Sequence, residues 1–299
     1  MLCLGLLLSF CSPVEQIKMD VLEPAEVYFP DDIYSLAFLM AEPEVRVNAK
    51  TTNEVQVEAL PEFWNGLTDI ASISPRFNVK SLQWIREYPD SIPRALVVMH
   101  QLMLTDTLKL DLVYEYALTG YYLVYEIHST IKWSIYNPRT REIFSEQTFE
   151  EKYVWESYHE DKMEAIRGLG VVSEAFHSAA YWSGNDIGHL LFPYWAEEPR
   201  FYYVRGNKYF RKARKYIKDN QWQQAINIWK RNFQLDSEEL AQRAAHNIAF
   251  ACEMLGKVEL AIEWAEKSLQ IKYKKKTQEY LEFLRERNKK LKKIDKQMP

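Results

Sequence analysis

Six histidines, three cysteines and a few adjacent carboxylates are the groups from which this 299-residue chain could assemble a reactive centre. The histidines are His100, His128, His159, His177, His189 and His246. None stands in a His-x-x-x-His or Glu-x-x-His pattern with a third ligand at metal-site spacing, so neither a metal nor a cofactor is expected. Cys3, Cys11 and Cys252 cannot form a disulfide framework or a zinc set. Cys252 lies in a helical core pattern, where a thiol is a poor nucleophile. No Gly-x-Ser-x-Gly elbow occurs. Glu150 and Glu151 point to opposite faces of a strand, and Glu197 and Glu198 fall in a connector, so neither pair suits glycoside hydrolysis. Gly168-Leu169-Gly170 does not follow a strand and lacks a third glycine, which excludes a phosphate loop. What remains is Trp182-Ser183-Gly184-Asn185-Asp186, flanked by His177 and His189. A hydrolase site there, with Asp186 in it, is an alternative reading; a structural role is the leading one.

These residues need elements to hold them. Glu15 to Pro30 carries two prolines and is read as extended. Ile33 to Met40 is an apolar run of strand length, and Asn48 to Val57 is polar and turn-like. Leu60, Phe63, Trp64, Leu67, Ile70 and Ala71 share one helical face, with Pro61 near its start. Arg94 to Leu104 suits a strand covered on both faces. From Tyr121 to Ile135 apolar and polar residues alternate, the mark of a strand with one wet face. Asn137-Pro138-Arg139-Thr140 supplies a turn, and Glu142 to Trp155 returns as the second strand of a long antiparallel hairpin. Glu160 to Tyr181 is helical, ending near Ser183-Gly184-Asn185. Its small residues allow close approach to the sheet. Phe192 to Trp195 and Glu198-Pro199-Arg200 form a rigid aromatic connector.

Beyond it the chain repeats. Trp222-Gln-Gln-Ala225-Ile226 superposes on Val258-Glu-Leu-Ala261-Ile262 at an offset of 36 residues, as does Ala213 on Ala249. Asn220 and Gly256 take equivalent turn positions, which often need positive φ. This spacing resembles the tetratricopeptide family, whose period is close to it. One helix pair cannot bury its apolar face alone, so pairs stack. The fold class expected is therefore α+β: a mixed sheet with a long hairpin and packed helices over 12–200, then an all-α tetratricopeptide-like stack over 201–299. By the family analogy the groove of first-helix residues would bind a protein partner. Those residues are Asn207, Arg214 and Lys218, then Arg243, His246 and Glu253.

Residues 1–11 read as an address. Met1 to Phe10 is apolar but shorter than the ~20 residues a span requires, and resembles a secretory leader. Cys11, before Ser12-Pro13, resembles the acylated cysteine of a bacterial lipobox. A lipid there would hold the protein at a membrane. The chain also resembles an uncharacterised family of Bacteroidetes lipoproteins with a tetratricopeptide region. That resemblance is carried by Cys11-Ser-Pro13, Val21-Leu-Glu-Pro-Ala25, Trp133 to Pro138, Pro193-Tyr-Trp195 and Arg200 to Tyr203. It implies a cell-envelope address and no assigned reaction. Ser12-Pro-Val-Glu-Gln16 lacks the acidic cluster associated with surface export in such lipoproteins, so the expected side is the periplasmic face of the outer membrane. A glycan-binding lipoprotein is a further alternative, from the aromatic surplus of 14%. The net charge is −4, but Lys272 to Lys296 holds eleven basic and four acidic residues, leaving an acidic body. An acidic body argues against nucleic acid as a partner. The basic tail is read as a solvated capping helix.

Overall fold

The structure is a computed structural model, which describes residues 14–40, 53–80, 86–88, 93–115, 118–234 and 237–298. Cys11 lies outside the described residues, as does the start of the expected turn at Asn48. The chain divides into two units. A helical unit takes Met1–Glu23 and Trp195–Lys296, and a sheet unit takes Pro24–Tyr194 with the last three residues. The strand β1 (Val14–Glu23) thus belongs with the helices, although the sequence places it with the sheet.

The sheet unit contains β2 (Ser35–Met40), β3 (Asn78–Lys80), β4 (Ala95–Glu115), β5 (Leu118–Tyr136) and β6 (Ile143–His159), in the order β3-β2-β4-β5-β6. β2 runs parallel to β3 and β4, and β4, β5 and β6 are antiparallel. On β4 the buried positions change parity, from Val97 and Met99 to Leu102 and Leu104. A register shift between Met99 and Gln101 makes His100 the extra residue. A one-residue slip would otherwise turn every following side chain to the wrong face, and the bulge absorbs it. Leu96 and Val98 are half-buried, so β4 has one core face, not the two expected. On β5 the odd positions Leu123, Tyr125, Ile127, Ile131, Trp133 and Ile135 stay buried, as the alternation requires. The β5–β6 turn is fixed by Asn137, whose Oδ1 accepts from the N–H of Arg139 at 2.9 Å.

Helix α1 (Asn53–Ile73) begins within the stretch expected to be a turn and carries Pro61 in its interior. The buried face of Ala59, Phe63, Leu67, Ile70 and Ala71 compensates for the missing proline N–H. The single helix expected from Glu160 is two: α2 (Lys162–Gly168) and α3 (Val172–Leu191). Gly170, at φ +79°, separates them. α3 does not stop at Ser183-Gly184-Asn185. Gly184 is there for packing: a Cβ on it would lie 1.9 Å from the carbonyl oxygen of Phe63. One on Gly66 would lie 2.0 Å from that of Tyr181. α1 and α3 therefore cross backbone against backbone, and the closest approach is helix to helix.

In the helical unit, β7 (Tyr194–Tyr203) pairs with β1 in a two-stranded sheet. The expected connector is thus a strand. Then follow α4 (Lys208–Lys218), α5 (Trp222–Lys230), α6 (Glu238–Met254), α7 (Val258–Ile271) and α8 (Lys275–Gln297). The α4–α5 and α6–α7 turns match. Gln221 N–H donates to Tyr216 O at 2.8 Å, and Lys257 N–H to Cys252 O at 2.9 Å, across Asn220 and Gly256 at positive φ. Ala213, Ala225, Ala249 and Ala261 are fully buried at the helix contacts.

Candidate functional site

α6 is the centre of the helical unit, with eleven buried residues from Gln242 to Glu253. Gln242, His246, Asn247 and Glu253 among them are polar yet buried. Asn247 Oδ1 accepts from the N–H of Tyr203 at 2.7 Å, and its Nδ2 donates to the carbonyl of the same residue at 2.7 Å. His246 Nε2 lies 3.3 Å from the Phe201 carbonyl, and its Nδ1 lies 3.1 Å from Thr277 Oγ1. A carbonyl only accepts, so Nε2 carries the proton and Nδ1 accepts from the threonine hydroxyl. The imidazole stacks on Phe201 at 4.5 Å. Burial lowers its pKa to about 4, keeping it neutral. Tyr202 stacks on Phe250 at 5.3 Å, with the rings 7° from parallel. The face expected to be an open groove is covered by β7.

The partner-lining residues therefore separate. His246 and Glu253 are 0% exposed and cannot line an open surface, because β7 and α8 lie over them. Asn207 caps α4, accepting from the N–H of Tyr209 at 2.9 Å. Its amide also donates to Asn232 Oδ1 at 2.7 Å. Arg214 is bound to Glu15 of β1, whose carboxylate also accepts from the Tyr202 hydroxyl at 2.7 Å. Arg243 bonds to Glu239 on α6 and lies over the Tyr203 ring at 5.3 Å. Lys218 is exposed at the end of α4. Asn247, the best-placed main-chain binder, was missed. Its signal is a polar stripe of Arg243, His246, Asn247 and Glu253 at helical spacing, which reads as a wet face whether water or a strand lies against it.

Glu253 is the charge at the base of this arrangement. It accepts from Arg200 Nε at 3.1 Å, from the Arg287 guanidinium and from the Tyr280 hydroxyl at 2.6 Å. Arg200 also lies 3.7 Å over the Phe283 ring. β7, α6 and α8 thus meet on one carboxylate. Burial and the Glu253 charge raise the Tyr280 phenol well above its ordinary pKa. Cys252 beside it is buried, and burial raises its thiol pKa to about 11, which suppresses the thiolate.

In the sheet unit, Tyr153 of β6 donates to Asp186 Oδ2 at 2.7 Å. Burial raises the Asp186 pKa and lowers that of His189, whose ring lies 3.9 Å from Tyr194. The Tyr153–Asp186 bond joins β6 to α3. Towards the other edge of the sheet, a cavity of about 810 Å³ opens between α1 and the β2–β3 edge. Phe38, Trp64 and Phe77 give it an aromatic wall, and Arg76 a cation. The guanidinium is fixed by donating to the carbonyls of Phe29 at 2.9 Å and Pro30 at 2.8 Å. Among the described residues, no group of three or more His, Cys, Asp or Glu could hold a metal, and no helix is long and apolar enough to cross a membrane.

Two family models match parts of the chain. A domain of unknown function, DUF8603, matches residues 96–203, and another, DUF6340, matches residues 211–293. The first runs from β4 to the end of β7, and the second covers most of α4 to α8. No curated protein sequence matches. Solved structures with some likeness include a minor lipoprotein from Acinetobacter baumannii, at 12% identity and a TM-score of 0.25, covering 55% of this chain and 98% of that one. The rare lipoprotein B from Shewanella oneidensis shares 15% identity at a TM-score of 0.24, over 51% and 92%. A PelC dodecamer from Paraburkholderia phytofirmans shares 9% at 0.25, over 58% and 98%. Likeness at this level carries no argument about mechanism.

Proposed function

We propose that this chain is a cell-envelope lipoprotein, acylated on Cys11, that serves as a tethered scaffold with its helical unit as the protein-binding part. One observation supports this most directly. The strand that begins three residues after Cys11 is built into the helical unit, through Glu15 to Arg214 and Tyr202. A lipid on Cys11 would then hold a rigid body at the membrane and not a floppy tail. The helix pairs belong to the tetratricopeptide type in this reading, with the interior face given to β7 and partners meeting the exposed outer side of the pairs. The lipid would sit in the outer membrane, facing the periplasm.

Metabolic labelling with a radioactive fatty acid tests the anchor. Label on the native chain, absent from Cys11→Ser, with release of that variant from the membrane fraction, is the expected result. An unlabelled native chain overturns the reading.

The aromatic cavity of the sheet unit favours a second reading, a small ligand such as a glycan. Trp64 in its wall is a built-in reporter. Quenching of tryptophan emission by a glycan series, lost in Trp64→Phe, would support it; no response across the series would remove it.

A further inference from the structure

We propose that the exposed basic face of α4 docks on an anionic bilayer surface. Lys208, Arg211, Lys212 and Lys215 stand at i, i+3, i+4 and i+7, a single stripe of the helix, and all are exposed. Tyr209, Phe210, Ala213, Tyr216 and Ile217 occupy the opposite side and pack into the unit's core. Among the described residues these four cations form no ion pair. They border a shallow depression of about 590 Å³, in which Asp219 is the acid. The C-terminal segment from Lys272, which looks more basic in sequence, has more of its charge paired. Lys272 and Lys274 bind Glu239, Arg285 binds Glu266, Arg287 binds Glu253 and Lys290 binds Glu23. Among the described residues Lys276, Lys292 and Lys296 of that segment are also exposed without an ion pair, but they are spread along the helix, whereas α4 gathers its four on one stripe within two turns.

A bilayer is favoured over an acidic protein by where the chain enters. Arg214 of α4 holds Glu15, and Cys11 is four residues upstream, at most about 14 Å of extended chain. An acyl chain on Cys11 would place the stripe beside headgroups. One acyl chain binds reversibly, and a basic patch supplies a second attachment. The proposal rests on the anchor reading for its geometry.

The test uses the mature chain from residue 11 with Cys11→Ser, floated with vesicles of phosphatidylcholine alone or with phosphatidylglycerol added. Salt-sensitive binding to the anionic vesicles only is expected. Each removed charge weakens binding about fivefold, so Lys212→Gln with Lys215→Gln lowers the partition coefficient about 25-fold. Lys212→Glu with Lys215→Glu abolishes it while the thermal transition is unchanged, since neither side chain is packed. Equal binding to both vesicle types, or anionic binding unaltered by these substitutions, overturns the proposal. Binding to polyglutamate but not to vesicles overturns it in favour of an acidic protein. The unacylated chain reads the patch and fatty-acid labelling reads the anchor, so each can fail without the other.

Discussion

Asn247 on α6 holds Tyr203 on β7 by both of its main-chain groups, with two bonds of 2.7 Å from one carboxamide. Both residues are buried, and the strand gains from a side chain the pairing that another strand would give. Asn247→Ala leaves a buried N–H and a buried carbonyl unpaired. The expected loss is about 2–4 kcal/mol of stability in the helical unit, read by urea unfolding. A loss under about 1 kcal/mol would show that β7 is held mainly by its rings.

Glu253 gives a sharper contrast. Its truncation in Glu253→Ala removes the buried anion shared by the Arg200 and Arg287 guanidiniums, 5% and 10% exposed, and leaves Arg200 only the more distant Glu198 at 3.6 Å. About 3–5 kcal/mol is expected to be lost. Arg214→Ala breaks an ion pair whose arginine is 44% exposed, and should cost about 1 kcal/mol or less. Denaturant midpoints of the two variants give the order directly, and an inverted order would refute this assignment of the central carboxylate.

The buried imidazole of His246 predicts a pH response. Its folded pKa is lowered from 6.5 to about 4 by burial, so between those values the unfolded chain binds the extra proton. Stability therefore rises with pH across that window and falls on acidification, by roughly 3 kcal/mol in all. The groups facing the ring are Phe201 and Tyr203 of β7 and Thr277 and Tyr280 of α8. Glu239, bound by Lys272, Lys274 and Arg243, has its pKa lowered to about 2. Its contribution is lost only as pH falls from the ordinary carboxylate range through 2, below most of the histidine window. Unfolding curves at pH 7, 5.5 and 4.5 should show the slope, and His246→Gln should flatten it.

Gly184→Ala forces a methyl group onto the Phe63 carbonyl at the α1–α3 crossing. A loss of at least about 2 kcal/mol in the sheet unit is expected, since backbone cannot yield as a side-chain tip can. Gly170→Ala meets nothing within 4 Å, and is penalised only through its φ of +79°. Thermal scans of the pair separate crowding from backbone conformation.

Local signals were legible in the residues. The β5 alternation named its buried face, and the offset of 36 placed the paired turns at Asn220 and Gly256. Elements stabilised by distant partners were not. β7 reads as a connector because Pro199 and its aromatics interrupt every periodic pattern, and it becomes a strand only against β1, some 180 residues earlier. The end of α3 was misplaced because Gly184 signals a stop when its neighbours are unknown, whereas the carbonyl of Phe63 makes it a contact. The same limit hid the site. His246 and Glu253 looked wet because polar residues on a helix face usually are, and the basic tail looked free because Glu239, Glu253 and Glu266 lie outside it.

The placement of β1 with α4 to α8 sets the order in which this protein can be completed. The sheet unit is encoded by a nearly continuous stretch, so it can mature while the ribosome is still working. The helical unit cannot. Its first strand is synthesised early and must wait for Tyr202, Arg214 and Arg287 to arrive. Until then Ile17, Met19 and Val21 remain without their permanent neighbours, a window in which a chaperone or an export channel could hold the chain open.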